Sequence, residues 1–338
     1  MWNRYQIAAE VLFAGLVLAA ALGCGTRSDE TSGANSSVTV LNGAGATFPS
    51  PVYANWCYLY SESTLGRVLV NYQGIGSGAG ITQLKEGTID FAGTDAPLTA
   101  EELERGQLIQ FPMLAGGIVV IVHLPGIADG ELKLSREALA AIFLGKITRW
   151  DDPLLAAAHP NLALPPLDIT VVHRSDGSGT TFLFTRYLSQ ISPEWRETVG
   201  EGKSVRWPVG VAGQKNPGVC NNVAHIDGAI GYTEYTYAAE AHLATAALEN
   251  SAGRFIPAGP DSFAAALEQA EWSRPDVLLT DAPGNESYPL LGITYLLYRQ
   301  NLDNTKKAEL TRYFDWCFQS GQNAAKKMHY LPVGSMEN

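Results

Sequence analysis

The chain alternates short apolar runs with loops rich in glycine and serine. Residues 38–41, 68–72, 89–92 and 168–172 are mainly apolar, with β-branched side chains, and this pattern predicts β-strands. Each of these runs is followed by a loop and then by a segment with helical spacing or a helix start signal. The repeated order of strand, loop and helix predicts an α/β fold with parallel sheets and with ligands at the carboxyl ends of the strands.

Capping residues indicate where several helices begin and end. Ser50 precedes Pro51 and is expected to be an N-cap, because proline fits the first position of a helix. Thr99 and Glu102 have the spacing of a capping box. Further helices are predicted from Ser135 as the cap of residues 136–144, from Gly145 as their end, and from the helical spacing of Leu310, Phe314 and Cys317.

Two further runs, one in each half of the chain, contain almost no polar residue. Residues 116–122 are continuously apolar, which predicts a strand buried on both faces of a parallel sheet. Residues 292–298 predict another strand. The strand at residues 116–122 is therefore expected to lie in the interior of the protein.

Three of the predicted loops have the chemistry of an anion site. Residues 42–48, 74–80 and 173–181 each follow a strand and precede a helix, whose N-terminus carries a partial positive charge. Their glycines allow the backbone N–H groups to approach a ligand closely. Side-chain donors are added by Thr47, Ser77, Ser178, Thr180 and Arg174.

Parts of the sequence also resemble nucleotide-binding motifs, which require a fixed spacing of glycines. Residues 74–79 fit the alanine-ended dinucleotide fingerprint, with Asp90 or Asp95 in range of a ribose, so this alternative stays open. Residues 202–204 end like a P-loop, but Glu197 occupies the position of its first glycine. The histidines and cysteines lack the spacing of metal ligands, and no metal or cofactor is predicted.

Composition narrows the classes of partner. The chain has 338 residues, 46% of them hydrophobic, which is typical of a globular protein with one large or two ordinary domains. With 34 acidic and 23 basic residues, its formal net charge is −11. Nucleic acids and anionic membrane surfaces require clustered lysine and arginine, so no nucleic-acid partner is expected. A small anion held by a few local donors remains compatible with this charge.

The N-terminus predicts export from the cytoplasm. Residues 1–23 contain Arg4 and an apolar run at 11–22 that is short for a membrane span, which is typical of a signal peptide. Residues 21–24 resemble the lipobox of bacterial lipoproteins, in which Cys24 would be lipidated after cleavage. An ordinary secretory signal is the alternative. Residues 24–37 would then form a flexible tether, since they contain no large apolar side chain.

Three cysteines follow the predicted tether. They are Cys57, Cys220 and Cys317, which are far apart in sequence and have mainly apolar neighbours. Buried free thiols are at least as compatible with this pattern as a disulfide between two of them, and the odd number leaves their pairing open.

Six segments of the chain recur together in one family. They are 43–49 (GAGATFP), 72–77 (YQGIGS), 94–97 (TDAP), 146–152 (KITRWDD), 176–180 (DGSGT) and 228–232 (GAIGY). In this order, from about residue 38 to residue 331, the chain resembles the phosphate-binding proteins of bacterial high-affinity phosphate ABC transporters. The resemblance implies a two-lobed periplasmic-binding-protein fold of type II, in which the lobes close on the ligand about a hinge. Lobe I would comprise residues 38–122 and 290–338, and lobe II residues 123–289.

The same resemblance implies a function without catalysis. The protein would bind hydrogen phosphate in the periplasm or at the outer face of the cell membrane, anchored through Cys24, and deliver it to the permease and ATPase subunits of an ABC transporter. The alternative is an exported phosphatase or another hydrolase with a phosphate site. No activated nucleophile or catalytic metal can be assembled from the sequence for that alternative.

The resemblance also implies a set of phosphate ligands. They are Thr47, Phe48, Ser77, Asp95, Arg174, Ser178, Gly179 and Thr180, and Asp176 would brace Arg174. The chain has His173 where a second arginine is common in the family, which would weaken the local positive field.

Asp95 has a physical role if the ligand is phosphate. Near neutral pH phosphate carries a proton that a carboxylate can accept, whereas sulfate carries none, so sulfate would leave two buried acceptors facing each other. The alternative is that Asp95 only stabilises the turn at residues 94–97.

Overall fold

The computed structural model describes residues 38–272 and 276–333. The predicted export signal, Cys24 and the predicted tether lie outside these residues. Within the described part of the chain, no helix is both long and apolar enough to cross a membrane.

Strands and helices alternate along most of the chain. The strands are β1 (Thr39–Gly45), β2 (Val68–Gly74), β3 (Phe91–Thr94), β4 (Leu108–Val122), β5 (Lys133–Leu134), β6 (Thr170–Arg174), β7 (Val211–Gly213), β8 (Ala229–Glu234), β9 (Ala244–Thr245), β10 (Ala247–Glu249), β11 (Phe255–Ile256), β12 (Leu279–Thr280), β13 (Leu290–Arg299) and β14 (Leu331–Pro332). The helices are α1 (Ser50–Ser63), α2 (Ser77–Glu86), α3 (Ala100–Gly106), α4 (Arg136–Phe143), α5 (Pro153–Ala157), α6 (Gly179–Ile191), α7 (Pro193–Thr198), α8 (Lys215–His225), α9 (Tyr235–Glu240), α10 (Pro260–Leu267), α11 (Asn304–Gln319) and α12 (Gln322–Lys327). The predicted α/β class is confirmed.

The main sheet has two halves joined by one long strand. Its order is β2-β1-β3-β13-β4-β8-β6-β7. Strands β1, β2 and β3 run parallel to one another, as do β6, β7 and β8. We call β2-β1-β3-β13 the first half-sheet and β8-β6-β7 the second half-sheet. Strand β4 pairs with β13 of the first and with β8 of the second, so it links the two halves.

The prediction for residues 116–122 was right about burial but wrong about the neighbours. These residues lie in β4, and all of them are buried. However, β4 runs antiparallel to both β13 and β8. A continuous apolar run reflects burial on both faces of a strand and contains no information about the direction of its neighbours. The predicted lobe boundary at Val122 coincides with the end of β4, and that at Leu290 with the start of β13.

Most of the predicted caps are present. The Thr99 hydroxyl accepts a hydrogen bond from the Glu102 N–H, while the Glu102 carboxylate accepts one from the Thr99 N–H. Ser135 caps α4 through the Ala138 N–H. Ser50 is not an N-cap, because it is already the first residue of α1 and its hydroxyl donates to the Ala46 carbonyl.

The three cysteines of the described chain are free thiols, and all are buried. Cys57 on α1 lies 3.6 Å from the Tyr313 hydroxyl of α11. Burial raises the pKa of Cys57 and of Cys220 to about 11 each. The thiols therefore stay protonated at neutral pH and belong to the apolar interior.

Candidate functional site

Three loops of the first half-sheet reach the same edge. Strands β1, β2 and β3 are parallel, and Gly45 is in register with both Gly74 and Gly93. The chain segments that follow the three strands carry Thr47, Ser77 and Asp95, respectively. The carboxyl ends of adjacent parallel strands lie together, so the fold brings these three side chains to one side of the sheet.

The second half-sheet contributes the opposite side of the site. Strand β6 ends at Arg174, and α6 begins at Gly179. Ser178 is the N-cap of α6, and its hydroxyl accepts from the Thr181 N–H at 3.0 Å. The N–H groups of the first helical residues have no carbonyl partner within a helix, so those of Gly179 and Thr180 are available to a ligand.

The two sides are in direct contact at Gly179. A Cβ atom on Gly179 would lie 2.6 Å from the Asp95 Oδ2 and 2.6 Å from the Ser77 Oγ. Nearby, the Gly78 N–H donates to the Gly177 carbonyl at 3.0 Å. The structure therefore brings Ser77, Asp95 and Gly179 together, and only glycine allows this approach.

Two glycines of residues 74–80 serve this same packing. A Cβ atom on Gly76 would lie 2.6 Å from the Asp176 Oδ2 and 2.9 Å from the Gly177 carbonyl oxygen, and one on Gly78 would lie 3.4 Å from the same carbonyl oxygen. Part of the loop that fits the dinucleotide fingerprint is thus covered by the segment that follows β6. The other two glycines of the loop, at positions 74 and 80, pack against residues at the end of β1 and the start of α1.

Arg174 is held from two directions and keeps two hydrogens for other partners. Its Nε and Nη2 atoms donate to the two oxygens of Asp176 at 2.8 and 2.6 Å. Its Nη1 donates to the Asn216 Oδ1 at 2.9 Å. A guanidinium carries five N–H hydrogens, so these bonds leave one on Nη1 and one on Nη2. Although partial burial acts the other way, the Arg174 guanidinium lowers the pKa of Asp176, which therefore stays ionised.

Several polar atoms at this site are buried without a hydrogen-bond partner among the described residues. They are the Thr47 Oγ1, the Thr180 Oγ1, the Asp95 Oδ1 and the Asn216 Nδ2. Buried polar groups in folded proteins are nearly always paired, and each exception calls for an explanation. Donors and an acceptor without partners at one location are typical of a binding site for a small polar ligand.

The buried carboxyl of Asp95 titrates near neutral pH. Asp95 is 1% exposed, and burial raises its pKa to about 7, although the Thr294 hydroxyl and the Arg174 guanidinium oppose this rise. A carboxylate at this position is therefore costly unless a partner shares a proton with it.

The sequence-based reasoning missed several residues that hold the site. Asn216, at the start of α8, binds Arg174, and the Tyr232 hydroxyl lies 2.6 Å from the Thr181 Oγ1 at the start of α6. The Tyr237 hydroxyl donates to the Thr47 carbonyl at 2.6 Å, and the Tyr330 hydroxyl lies 2.7 Å from the Phe48 carbonyl oxygen. These contacts span up to 282 residues of sequence, so no local motif indicates them.

His173 does not carry the positive charge that an arginine at this position would provide. Its ring stacks on Trp207, with centroids 4.9 Å apart and an angle of 9° between the planes. Burial lowers the pKa of His173, so the imidazole is neutral at neutral pH. Within residues 38–272 and 276–333, no cluster of three or more His, Cys, Asp or Glu side chains could hold a metal ion.

Comparison with known proteins places the chain in a family. Residues 30–320 match the PBP superfamily domain. The phosphate-binding protein PstS of Haemophilus influenzae is 46% identical over 297 residues, which cover 87% of this chain and 88% of that protein. PstS of Methanocaldococcus jannaschii is 38% identical over 92% of this chain and 86% of that protein. The chain belongs to the PstS family of phosphate-binding proteins.

Solved structures agree with the fold that this family membership implies. A high-affinity periplasmic phosphate-binding protein of the DING type, bound with phosphate, superposes with a TM-score of 0.69 at 24% identity, over 87% of this chain and 91% of that one. An ABC-type phosphate transport receptor from Vibrio cholerae gives a TM-score of 0.57 at 20% identity, over 86% and 99% of the respective chains. The predicted two-lobed periplasmic-binding-protein fold is confirmed.

Replacing Asp95 should reveal the cost of its burial. The folded-state pKa of about 7 lies above the ordinary value of 3.8, so folding takes up a proton between these pH values. The stability that the protonated form provides is complete below about pH 4 and is lost as the pH rises to about 7. The stability gained by Asp95→Asn relative to the wild type should therefore grow by about 2–4 kcal/mol between pH 4 and pH 8.

Urea unfolding of both ligand-free proteins across this pH range measures the difference. Asp151→Asn is the matched control, because Asp151 pairs with Arg149 at the surface. A constant difference between Asp95→Asn and the wild type at all pH values would contradict the raised pKa.

Proposed function

We propose that this protein binds inorganic phosphate outside the cytoplasmic membrane and delivers it to an ABC permease for import, without a catalytic step. The observation that carries the proposal is the Asp95 carboxylate, buried without a partner for its Oδ1 beside a set of unpaired donors. A site with many donors and one acceptor fits an anion that keeps a proton. Family membership supports the same ligand, since the relatives are phosphate-binding proteins.

The donors of the site can coordinate a tetrahedral anion from both sides. We infer that the remaining N–H groups of the Arg174 fork bind two phosphate oxygens, as planar guanidinium groups do. The N–H groups of Gly179 and Thr180 and the hydroxyls of Ser178 and Thr180 would approach from the N-terminus of α6. Thr47, Phe48 and Ser77 would approach from the loops that follow β1 and β2.

Asp95 would make the site selective for phosphate over sulfate. Its unpartnered oxygen accepts the proton of hydrogen phosphate, while sulfate would place an oxygen lone pair against it. Sites that require a hydrogen-bond partner reject analogues without it by roughly 10⁴-fold. The alternative role of Asp95 as a turn residue does not account for the buried Oδ1 that has no hydrogen-bond partner among the described residues.

The partners and location follow the family. We propose that the mature protein works in the periplasm or at the outer face of the cell membrane, together with the permease and ATPase subunits of a phosphate ABC transporter. Calorimetry with phosphate, sulfate and arsenate tests the ligand. Binding of phosphate without turnover of a phosphomonoester is the expected result, while such turnover would favour the alternative of an exported phosphatase.

Asp95→Asn should weaken discrimination against sulfate. The amide can donate a hydrogen bond to a sulfate oxygen, so sulfate should compete with labelled phosphate at concentrations at least about 100-fold lower than for the wild type. Protonation of Asp95 has a similar effect, and competition by sulfate in the wild type should increase as the pH falls below about 7. Equal discrimination by Asp95→Asn and wild type would contradict this role.

Arg174→Ala should strongly weaken phosphate binding. Two charge-assisted hydrogen bonds at about 1.5–3 kcal/mol each would be lost, which corresponds to a change in Kd of at least about 100-fold. Arg174→Lys keeps the charge but loses the planar fork, and its affinity for phosphate should lie between that of the wild type and that of Arg174→Ala.

Arg149→Ala is the matched control for the loss of one positive charge. Arg149 is a half-exposed residue that pairs with Asp151 and Asp168. Titration calorimetry of the variants with phosphate measures the effects. A change below about tenfold for Arg174→Ala would exclude a direct role of Arg174 in binding.

We propose that Cys24 carries the lipid anchor. If so, globomycin, which blocks the signal peptidase of lipoproteins, should make the unprocessed precursor accumulate in the membrane fraction. Cys24→Ala should prevent lipidation and cleavage by this peptidase. Cys57→Ala is the control, because Cys57 is buried in the folded protein. Normal processing in the presence of globomycin would favour an ordinary secretory signal.

A further inference from the structure

Glu234 carries a buried carboxyl group and is not among the proposed phosphate ligands. It is the last residue of β8 and the N-cap of α9, and its exposed fraction is 0%. Its Oε2 accepts from the Thr236 N–H at 3.1 Å, and its Oε1 lies 3.2 Å from the Thr236 hydroxyl, which donates its one hydrogen to the nearer Met328 carbonyl at 2.7 Å. Both partners are neutral, so a carboxylate here would be a buried charge held only by dipoles.

The contacts of Tyr330 determine where a proton must lie. The Tyr330 hydroxyl oxygen is 2.7 Å from the Phe48 carbonyl oxygen and 2.8 Å from the Glu234 Oε2. A tyrosine hydroxyl has one hydrogen, and a carbonyl oxygen can only accept. If Glu234 were ionised, one of these two buried contacts would bring two acceptors together without a hydrogen. Both contacts are hydrogen bonds only if Glu234 donates to Tyr330 and Tyr330 donates to Phe48.

This chain of hydrogen bonds ends at the proposed phosphate loop. Tyr330 holds the Phe48 carbonyl, and Tyr237 holds the preceding carbonyl, that of Thr47, at 2.6 Å. The Thr47 carbonyl belongs to the same peptide group as the Phe48 N–H. The two tyrosines therefore fix the orientation of the two peptide groups that flank Phe48, and with it the direction of the N–H group that would face the ligand.

We infer that Glu234 is a positioning residue, protonated in the phosphate-bound form, and that loss of its proton weakens phosphate binding. When Glu234 ionises, the single hydrogen of Tyr330 turns to the carboxylate, which is the stronger acceptor. The Phe48 carbonyl then loses its partner in a buried position, and the loop that ends at Pro49 is no longer fixed. The inference rests on the proposed phosphate binding and names a further residue that supports that site.

The surroundings of Glu234 also favour the protonated form. Burial raises its pKa to about 8, although the Thr236 N–H, the Tyr330 hydroxyl and the Thr236 hydroxyl oppose this rise. The other titratable groups near it are Glu240, Tyr235 and Tyr237 on α9, Cys220 on α8, and His329 beside Tyr330. Strand β4 presents only apolar residues where Glu234 pairs with Ile118. The acidic neighbour Glu240 acts in the same direction as burial.

Binding and protonation should then be linked. A bound phosphate adds negative charge and requires the ordered loop, so it raises the pKa of Glu234, and by reciprocity ionisation of Glu234 lowers the affinity for phosphate. Above about pH 8 phosphate itself stays in its singly protonated form up to strongly alkaline pH. A fall in affinity between about pH 8 and pH 9.5 therefore reports on the protein and not on the ligand.

The test compares phosphate affinity of the wild type and Glu234→Gln from about pH 8 to pH 9.5 by calorimetry. The affinity of the wild type should fall by about fourfold over this range, toward a limit of about tenfold that is set by one lost buried hydrogen bond. Glu234→Gln cannot ionise and should weaken by less than about twofold over the same range. The amide N–H₂ of the variant faces the Thr236 N–H, so Glu234→Gln should bind phosphate somewhat more weakly than the wild type at every pH. The quantity to compare is therefore the shape of each pH profile.

Two further variants separate this role from general effects of charge or packing. Glu240→Gln removes an exposed carboxylate at the end of α9, and it should keep the decline of affinity at alkaline pH. The midpoint of the decline should move only slightly to lower pH, because Glu240 is one cause of the raised pKa of Glu234 and loss of a negative neighbour lowers that pKa. Tyr330→Phe removes the hydroxyl that connects Glu234 with Phe48, so it should bind more weakly at every pH and lose the decline above pH 8.

A second measurement detects the proton directly. Calorimetry of the wild type at about pH 8.5, in two buffers with different ionisation enthalpies, should show uptake of a fraction of a proton on phosphate binding, and Glu234→Gln should lack this uptake. Identical pH profiles and proton uptake in the wild type and Glu234→Gln would overturn the inference. Absence of phosphate binding by the wild type at pH 7 would instead overturn the proposed function.

Discussion

The proposed phosphate site has to bind an anion without a net positive charge of its own. The guanidinium of Arg174 is neutralised by the ionised Asp176, and Asp95 lies on the opposite side of the same site. Attraction must therefore come from oriented N–H dipoles, hydroxyl groups and the two remaining hydrogens of the arginine fork. Such short-range interactions become strong only where water is excluded, so the site depends on close contact between the two half-sheets.

That contact explains why small residues lie at the centre of the structure. Gly179 and Gly76 each leave a space that a Cβ atom would fill, and in both cases the nearest atoms belong to the other side of the site. The N-termini of α2 and α6 consequently meet, and the proposed ligand donors of the two helices lie close together. Larger side chains would separate the donors from Asp95 and admit water between them.

Sequence patterns predicted this arrangement only as far as local chemistry reaches. The glycine loops, the cap at Ser135 and the capping box of α3 are each encoded within a few residues, and they are present in the structure. The antiparallel setting of β4 was missed, because hydrophobicity along one strand does not specify its partners. The local sequence also did not predict that α6 begins at Gly179, because small residues are equally compatible with a loop and with a helix N-terminus.

The tyrosines and Asn216 that hold the site could not be predicted for a different reason. Tyr330 follows α12 near the C-terminus, and it reaches the loop after β1 only because β14 pairs with β4 in the middle of the sheet. Such contacts exist only after the chain has folded, and neither end of the contact has a distinctive local motif. The family resemblance suggests ligand residues through shared motifs, whereas the residues that would orient them are recognised only in the folded structure.

Proton placement connects the ligand site with this supporting shell. Asp95 and Glu234 are both carboxyl groups with pKa values raised by burial, to about 7 and about 8, respectively. In the proposed roles, Asp95 would be complemented by a proton that the ligand brings, while Glu234 would supply its own proton to the Tyr330 hydroxyl. The overall negative charge of the protein is screened by salt over about 10 Å and contributes little to either group. Selection at this site therefore depends on which oxygen atoms carry hydrogens, and an acidic protein can achieve it as well as a basic one.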